Sequence, residues 1–276
     1  MRVDYYEVRF MDIIIFSGQS NMQGQSDCLS ENAVVEGASE YKYLTDEFVP
    51  LKNPVGENIT FEKCAGYVPD VGVNLGQWLS DHVLGSACYN HTNLVPSFCR
   101  RYVADTGEDV VAVHAAKGST DIAYWLPGGA GYETLTAKAS AAIEKARSTA
   151  SVGRVYFVWL QGESDAILNV SKDEYKKRIT HLCNSLRADL GVEKFGIIRV
   201  GRFTNDQRDL EIINAQDEVC TENDNFLMLT DIATTLNEIP EYMHPAIAGH
   251  YSAAGLERLG DAAAETLAAH RNTTKE

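Results

Sequence analysis

Five short apolar runs mark the chain, at residues 13–16, 110–113, 155–160, 195–200 and 226–230. Apart from Arg199 and Thr230 they carry no polar side chain, which suits parallel strands covered on both faces. Longer amphipathic stretches lie between and after them and predict helices over residues 132–147, 172–190, 209–219 and 252–270. In the second of these, Tyr175, Ile179, Leu182 and Leu186 recur at helical spacing. In the last, Leu256, Leu259, Ala263 and Leu267 share one face. Strands alternating with helices predict a doubly wound, three-layer α/β/α domain. Residues 27–72 are polar, rich in Tyr, Pro and Gly, and show no period. They predict an irregular loop insertion folded over the functional edge. No repeat, low-complexity tract or linker interrupts the sequence, so residues 1–276 are expected to form a single domain.

Composition narrows the classes. Of 276 residues, 45% are hydrophobic and 23% charged, enough apolar material for a buried core. Lys and Arg number 24 against 39 Asp and Glu, a net charge of −15, which argues against nucleic acid and anionic membranes as partners. The six cysteines form no C-x-x-C pair and no metal-ligand spacing, and are expected to be thiols in a reducing compartment. No apolar leader stands at the amino end and no run reaches membrane-span length, so the expected location is cytoplasmic.

In an open α/β sheet, ligands bind beyond the carboxyl ends of the strands. The first run is followed by Ser17-Gly18-Gln19-Ser20-Asn21-Met22-Gln23-Gly24 and the second by Lys117-Gly118-Ser119-Thr120. The third is followed by Gln161-Gly162-Glu163-Ser164-Asp165, and a late loop carries His244 and His250. A serine, glycines, an amide, carboxylates and a histidine at one edge are the parts needed for acyl transfer. Ser20 by itself says little, since a serine after a strand is commonly a helix cap. It also lacks the G-x-S-x-G elbow, because Met22 stands where the second glycine belongs.

Taken together, Gly18-Gln19-Ser20-Asn21-Met22 with Gly24, Lys117-Gly118-Ser119-Thr120, Trp159-Leu160-Gln161-Gly162-Glu163-Ser164-Asp165 and His250-Tyr251-Ser252 resemble the SGNH-hydrolase superfamily. The resemblance is to its sialate O-acetylesterase and acetylxylan esterase type, carbohydrate esterase family 6. Ala215-Gln216 adds to the likeness, which runs from about Asp12 to Ala269. The resemblance implies a flavodoxin-like parallel sheet and hydrolysis of acetyl esters on sugars, without metal or organic cofactor. It also carries the nucleophile role to Ser20. The base expected is His250, which would take the serine proton and return it to the leaving sugar hydroxyl. The backbone N–H groups of Ser20 and Gly118 are candidates for the oxyanion hole. Ser164 replaces the asparagine of many relatives there, so Gln161 is the expected side-chain donor.

Two assignments stay open. His244, followed by Pro245 and Gly249, competes with His250 as base; Leu259-Gly260 and a cap at Ser252 favour His250. Ala248 and Ile247 occupy the positions where many relatives carry the orienting aspartate, so the acid must come from elsewhere. Glu163 is favoured; Glu241, Asp165 or a backbone carbonyl are the alternatives. Trp125 could line a sugar platform. The function expected is a carbohydrate O-acetylesterase whose partner is an acetylated sugar. The alternatives are a lipid or thioester acyl hydrolase on the same scaffold, or a carbohydrate-binding relative without catalysis. Which sugar is acted on, and the oligomeric state, are not encoded in these motifs.

Overall fold

A computed structural model describes residues 10–30, 32–57 and 91–274. Seven strands form one sheet in the order β3-β2-β4-β1-β5-β6-β7. They are β1 (Met11–Gly18), β2 (Ala38–Lys42), β3 (Glu47–Pro50), β4 (Asp109–Ala116), β5 (Val152–Leu160), β6 (Lys194–Ile198) and β7 (Phe226–Thr230). The expected α/β layering holds, with one change: the edge strand β3 runs antiparallel to β2, and every other pairing is parallel.

The central strand β1 explains the continuous apolar run. Its residues Ile13 to Phe16 are fully buried between helices on both faces of the sheet. On one side lie α2 (Val95–Thr106) and α8 (Ala253–Thr273); on the other lie α3 (Ala130–Thr149), α5 (Lys172–Leu190) and α6 (Gln207–Glu222). Three helices of four or five residues, α1 (Ser20–Gln23), α4 (Glu163–Ile167) and α7 (Ala233–Leu236), follow β1, β5 and β7. Helix α5 starts at Lys172 because the Ser171 side chain caps the Glu174 N–H, and it stops at Gly191, whose φ of 70° closes the last turn.

Two elements depart from the sequence reading. Residues 27–72 are not wholly irregular: β2 and β3 lie in them and extend the sheet beyond β4. Residues 58–72 of that segment lie outside the described residues, as do Cys64 and Cys88. Helix α2 is an addition to the predicted elements; Leu94, Phe98 and Tyr102 recur at helical spacing, with Pro96 in its first turn and Gly107 at its end. It packs on α8 where Gly260 leaves room. A Cβ there would stand 2.2 Å from Ser97 Oγ and 2.5 Å from the Leu94 carbonyl. Cys28, Cys99, Cys183 and Cys220 are free thiols. Among the described residues no helix is long and apolar enough to cross a membrane.

Candidate active site

Strands β4, β1 and β5 are neighbours, so the loops after Ala116, Gly18 and Leu160 meet at one carboxyl edge. The turn out of β1 is tight. Gly18 has φ of 144°, and a Cβ on it would stand 2.0 Å from the Leu160 carbonyl, which instead accepts from Gln19 N–H at 3.1 Å. Only glycine fits there, and the turn starts α1 at Ser20. As the first residue of a helix, Ser20 has no intrahelical acceptor for its N–H.

The Ser20 hydroxyl meets His250 Nε2 at 2.9 Å, across 230 positions of sequence. The other ring nitrogen, Nδ1, lies 3.0 Å from the carbonyl of Ala248. A carbonyl only accepts, so Nδ1 carries the proton and Nε2 presents its lone pair to the Ser20 hydroxyl. Both residues are buried. Phe203 packs edge-on against the imidazole at 5.9 Å between ring centres. Its loop is held by the Asp209 carboxylate, which accepts from the N–H groups of Phe203, Thr204 and Asn205. The partner at Nδ1 is thus a backbone carbonyl, the alternative to the Glu163 carboxylate that the sequence favours.

Glu163 makes no hydrogen bond to His250. Its Oε1 accepts from Asn21 Nδ2 at 2.8 Å, and its Oε2 is buried without a partner. Desolvation pushes this carboxyl above its ordinary range, opposed by the Asn21 hydrogen bond and the nearby amides of Glu163 and Gly162. Glu241 is exposed, and its backbone carbonyl accepts from Ser252 Oγ at 2.7 Å. His244 is not paired with Ser20: its Nδ1 accepts from the N–H groups of Ala246 and Ile247 at 3.0 and 2.9 Å and so closes the turn after it.

Gln161 is not free to serve as the side-chain donor. It is fully buried, and its Nε2 donates to Thr120 O, Gln19 Oε1 and Asp165 Oδ2 at 3.0, 3.3 and 2.5 Å. Gln216, on α6, donates to the Gln161 carbonyl at 2.8 Å and accepts from Val200 N–H at 2.9 Å, tying the ends of β5 and β6 together. Among the described residues Asp165 forms no salt bridge. Desolvation lifts its carboxyl to about 6, against the pull of Gln161 and of the Ile122 N–H. Trp125 is a core residue, fully buried, donating to Thr120 Oγ1 at 3.0 Å.

Gly118 lies beside Ser20, and its N–H donates to Gln23 Oε1 at 2.9 Å. A Cβ at Gly118 would stand 2.6 Å from Gln25 Nε2, the end of a flexible side chain, and 3.5 Å from Ser20 Cβ. Next to this edge opens a cavity of about 430 Å³, lined by Ser119, Thr120, Asp121, Tyr124, Ser164, Ile167 and Leu168. The sequence pattern assigns no role to Asn21, Gln23 or Phe203. Asn21 and Gln23 stand within the first motif, which was the available signal. Phe203 lies in a loop with no pattern to mark it.

The sequence matches the family model described as carbohydrate esterase, sialic acid-specific acetylesterase, over residues 10–269. Among curated proteins none matches it. Solved structures of similar fold include a protein from Arabidopsis thaliana, 17% identical, with a TM-score of 0.64 over 95% of this chain and 98% of that one. NanS is 13% identical, with a TM-score of 0.66 over 96% and 99%. A carbohydrate acetylesterase from Xanthomonas citri is 14% identical, with a TM-score of 0.51 over 92% of this chain and 56% of that one.

Proposed function

Because the chain belongs to the sialic acid-specific acetylesterase family of carbohydrate esterases, we propose that it removes O-acetyl groups from a sugar through an acyl-enzyme formed on Ser20. The observation that carries this reading is the 2.9 Å contact between Ser20 Oγ and His250 Nε2, with the tautomer set by Ala248 O. His250 takes the hydroxyl proton as Oγ attacks the acetyl carbon, and gives it to the sugar oxygen as the C–O bond breaks. Water then attacks the acetyl-serine by the same proton route and releases acetate. The imidazolium formed on the way is stabilised through Nδ1–H by the Ala248 carbonyl.

The oxyanion is received by the N–H groups of Ser20 and Gly118. An arriving acyl oxygen displaces the Gln23 side-chain oxygen, which accepts from the Gly118 N–H. The cavity beside them suits the leaving sugar: hydroxyls and the Asp121 carboxylate can meet sugar hydroxyls, and the Tyr124 ring can lie along a sugar's C–H face.

Hydrolysis of p-nitrophenyl acetate, and acetate release from a panel of acetylated sugars, test this reading. Turnover is expected to fall steeply with acyl chain length and to vanish in Ser20→Ala. A Ser20→Ala protein that keeps its activity would reject the nucleophile. A second reading, an acyl hydrolase acting on longer chains, is favoured by Ile167 and Leu168, which are 50% and 61% exposed at the rim of the cavity. Octanoate turned over faster than acetate would select it. Binding of sugar with no ester turnover would select a non-catalytic relative.

A further inference from the structure

We infer that Asn21 is a positioning residue for the base, and that Glu163 acts on catalysis only through it; the inference rests on the Ser20–His250 reading. The Asn21 side chain grips the backbone on both sides of His250. Its Nδ2 donates to the Gly249 carbonyl at 3.2 Å, and its Oδ1 accepts from the Tyr251 N–H at 3.3 Å. Asn21 follows Ser20 directly on the first turn of α1. The residue bearing the attacking oxygen and the residue holding the base are therefore one rigid unit, and the distance from Oγ to Nε2 is set by this grip.

The grip works in only one orientation of the amide. With nitrogen and oxygen exchanged, the oxygen would face the Gly249 carbonyl and the nitrogen would face the Tyr251 N–H, giving two clashes between like groups. Glu163 selects the working orientation. Its Oε1 accepts the second hydrogen of Nδ2 at 2.8 Å, and a carboxylate oxygen in that place would repel a flipped Oδ1. Asn21 and Glu163 are 2% and 4% exposed, so water cannot stand in for either partner. On the opposite side Phe203 closes the loop: a Cβ at Gly249, where φ is 71°, would lie 2.1 Å from its ring. The buried Glu163 carboxylate thus sets the position of the base through an amide.

The test uses the full chain, p-nitrophenyl acetate and thermal melting. Asn21→Ala is expected to lower kcat about 100-fold with KM within about twofold, the size expected for an ångström of misplacement. Asn21→Asp keeps the shape and the acceptor but loses both donors, and is expected to lower kcat at unchanged KM as well. Glu163→Gln keeps an oxygen for Asn21 and is expected to stay within about threefold of the parent. Glu163→Ala is expected to fall with Asn21→Ala, and the double variant no further than the lower single one. Parental kcat in Asn21→Asp, additive losses in the double variant, or a Glu163→Gln protein as impaired as Glu163→Ala would each overturn the inference. The last of these would mean that the carboxylate charge itself acts on the base. Ser20→Ala separates the two levels: if it stays active the nucleophile reading fails, and if it is dead while Asn21→Asp is not, only the positioning role fails.

Discussion

The two ends of the central strands each bury a polar cluster, and the clusters differ in how completely they are paired. At the amino end, Asp12 is fully buried and both its oxygens are engaged. Oδ2 accepts from Tyr102 OH at 2.8 Å and Arg271 Nε at 2.9 Å, and Oδ1 accepts from Arg154 N–H at 2.7 Å. Glu108 takes the remaining reach of Arg271 at 3.2 Å. At the carboxyl end, Glu163 Oε2 and Asp165 Oδ1 are buried with no partner, and both carboxyls are pushed up by desolvation. A saturated cluster locks α8 and α2 to β1. An unsaturated one leaves polar atoms facing the edge where chemistry is proposed, at a cost in stability. The same residue types therefore hold the fold at one end and equip a site at the other.

Substitutions that separate stability from turnover test this contrast. The largest effect is expected at the carboxyl end: Ser20→Ala and His250→Ala each lower kcat for p-nitrophenyl acetate by roughly ten-thousandfold or more with little change in melting temperature. His244→Ala, which removes only a turn contact, is expected to stay within about tenfold. Should the two histidine variants exchange these outcomes, the base would be His244.

At the amino end, Asp12→Ala takes from the buried Arg271 guanidinium its nearer carboxylate, leaving Glu108, and is expected to cost about 3 kcal/mol in urea unfolding. The kcat per folded molecule is expected to stay at the parental value. A loss of turnover without a loss of stability would show that the two ends are coupled.

Asp165 gives a pH-dependent test. Its carboxyl titrates at about 6 in the fold, above the ordinary ~3.9 of an unfolded chain. The folded state holds this proton more tightly, so the group favours folding at low pH. That contribution is lost as pH rises from about 4 to about 6. Asp165→Asn is expected to remove this slope, a difference of order 2 kcal/mol between urea unfolding at the two pH values. An unchanged slope would assign it to other groups. The smallest effect is expected from Gln23→Ala, which frees the Gly118 N–H. One neutral hydrogen bond no longer displaced by substrate corresponds to a gain in kcat/KM of about 2- to 10-fold. A loss instead would make Gln23 a support of the Gly118 loop.

Much of the layering was legible because burial on both faces writes itself as consecutive apolar residues. The run at 226–230 and the pattern at 172–190 coincide with β7 and α5 to the residue. Strands β2 and β3 were not legible, because polar positions such as Glu40, Lys42 and Glu47 interrupt any apolar run. The charges of the first two are buried as a pair, Lys42 to Glu40 at 2.7 Å, which no apolar pattern announces. In the site, the serine and glycine positions could be read because a tight turn out of a strand restricts what fits, as the contact at Gly18 shows. The partner at His250 Nδ1 could not, since a backbone carbonyl has no residue identity.

The sequence alone determined which strands lie inside, where the chain turns at their carboxyl ends, and which reactive side chains those turns carry. These follow from short-range rules of burial and backbone sterics. Only the tertiary structure decided which of two nearby histidines meets Ser20, and that Glu163 pairs with an amide and not with an imidazole. It also decided that Gln161 spends its hydrogens inside the core. Such pairings depend on distances of about 3 Å between groups far apart in sequence, and the packing of the whole domain fixes them.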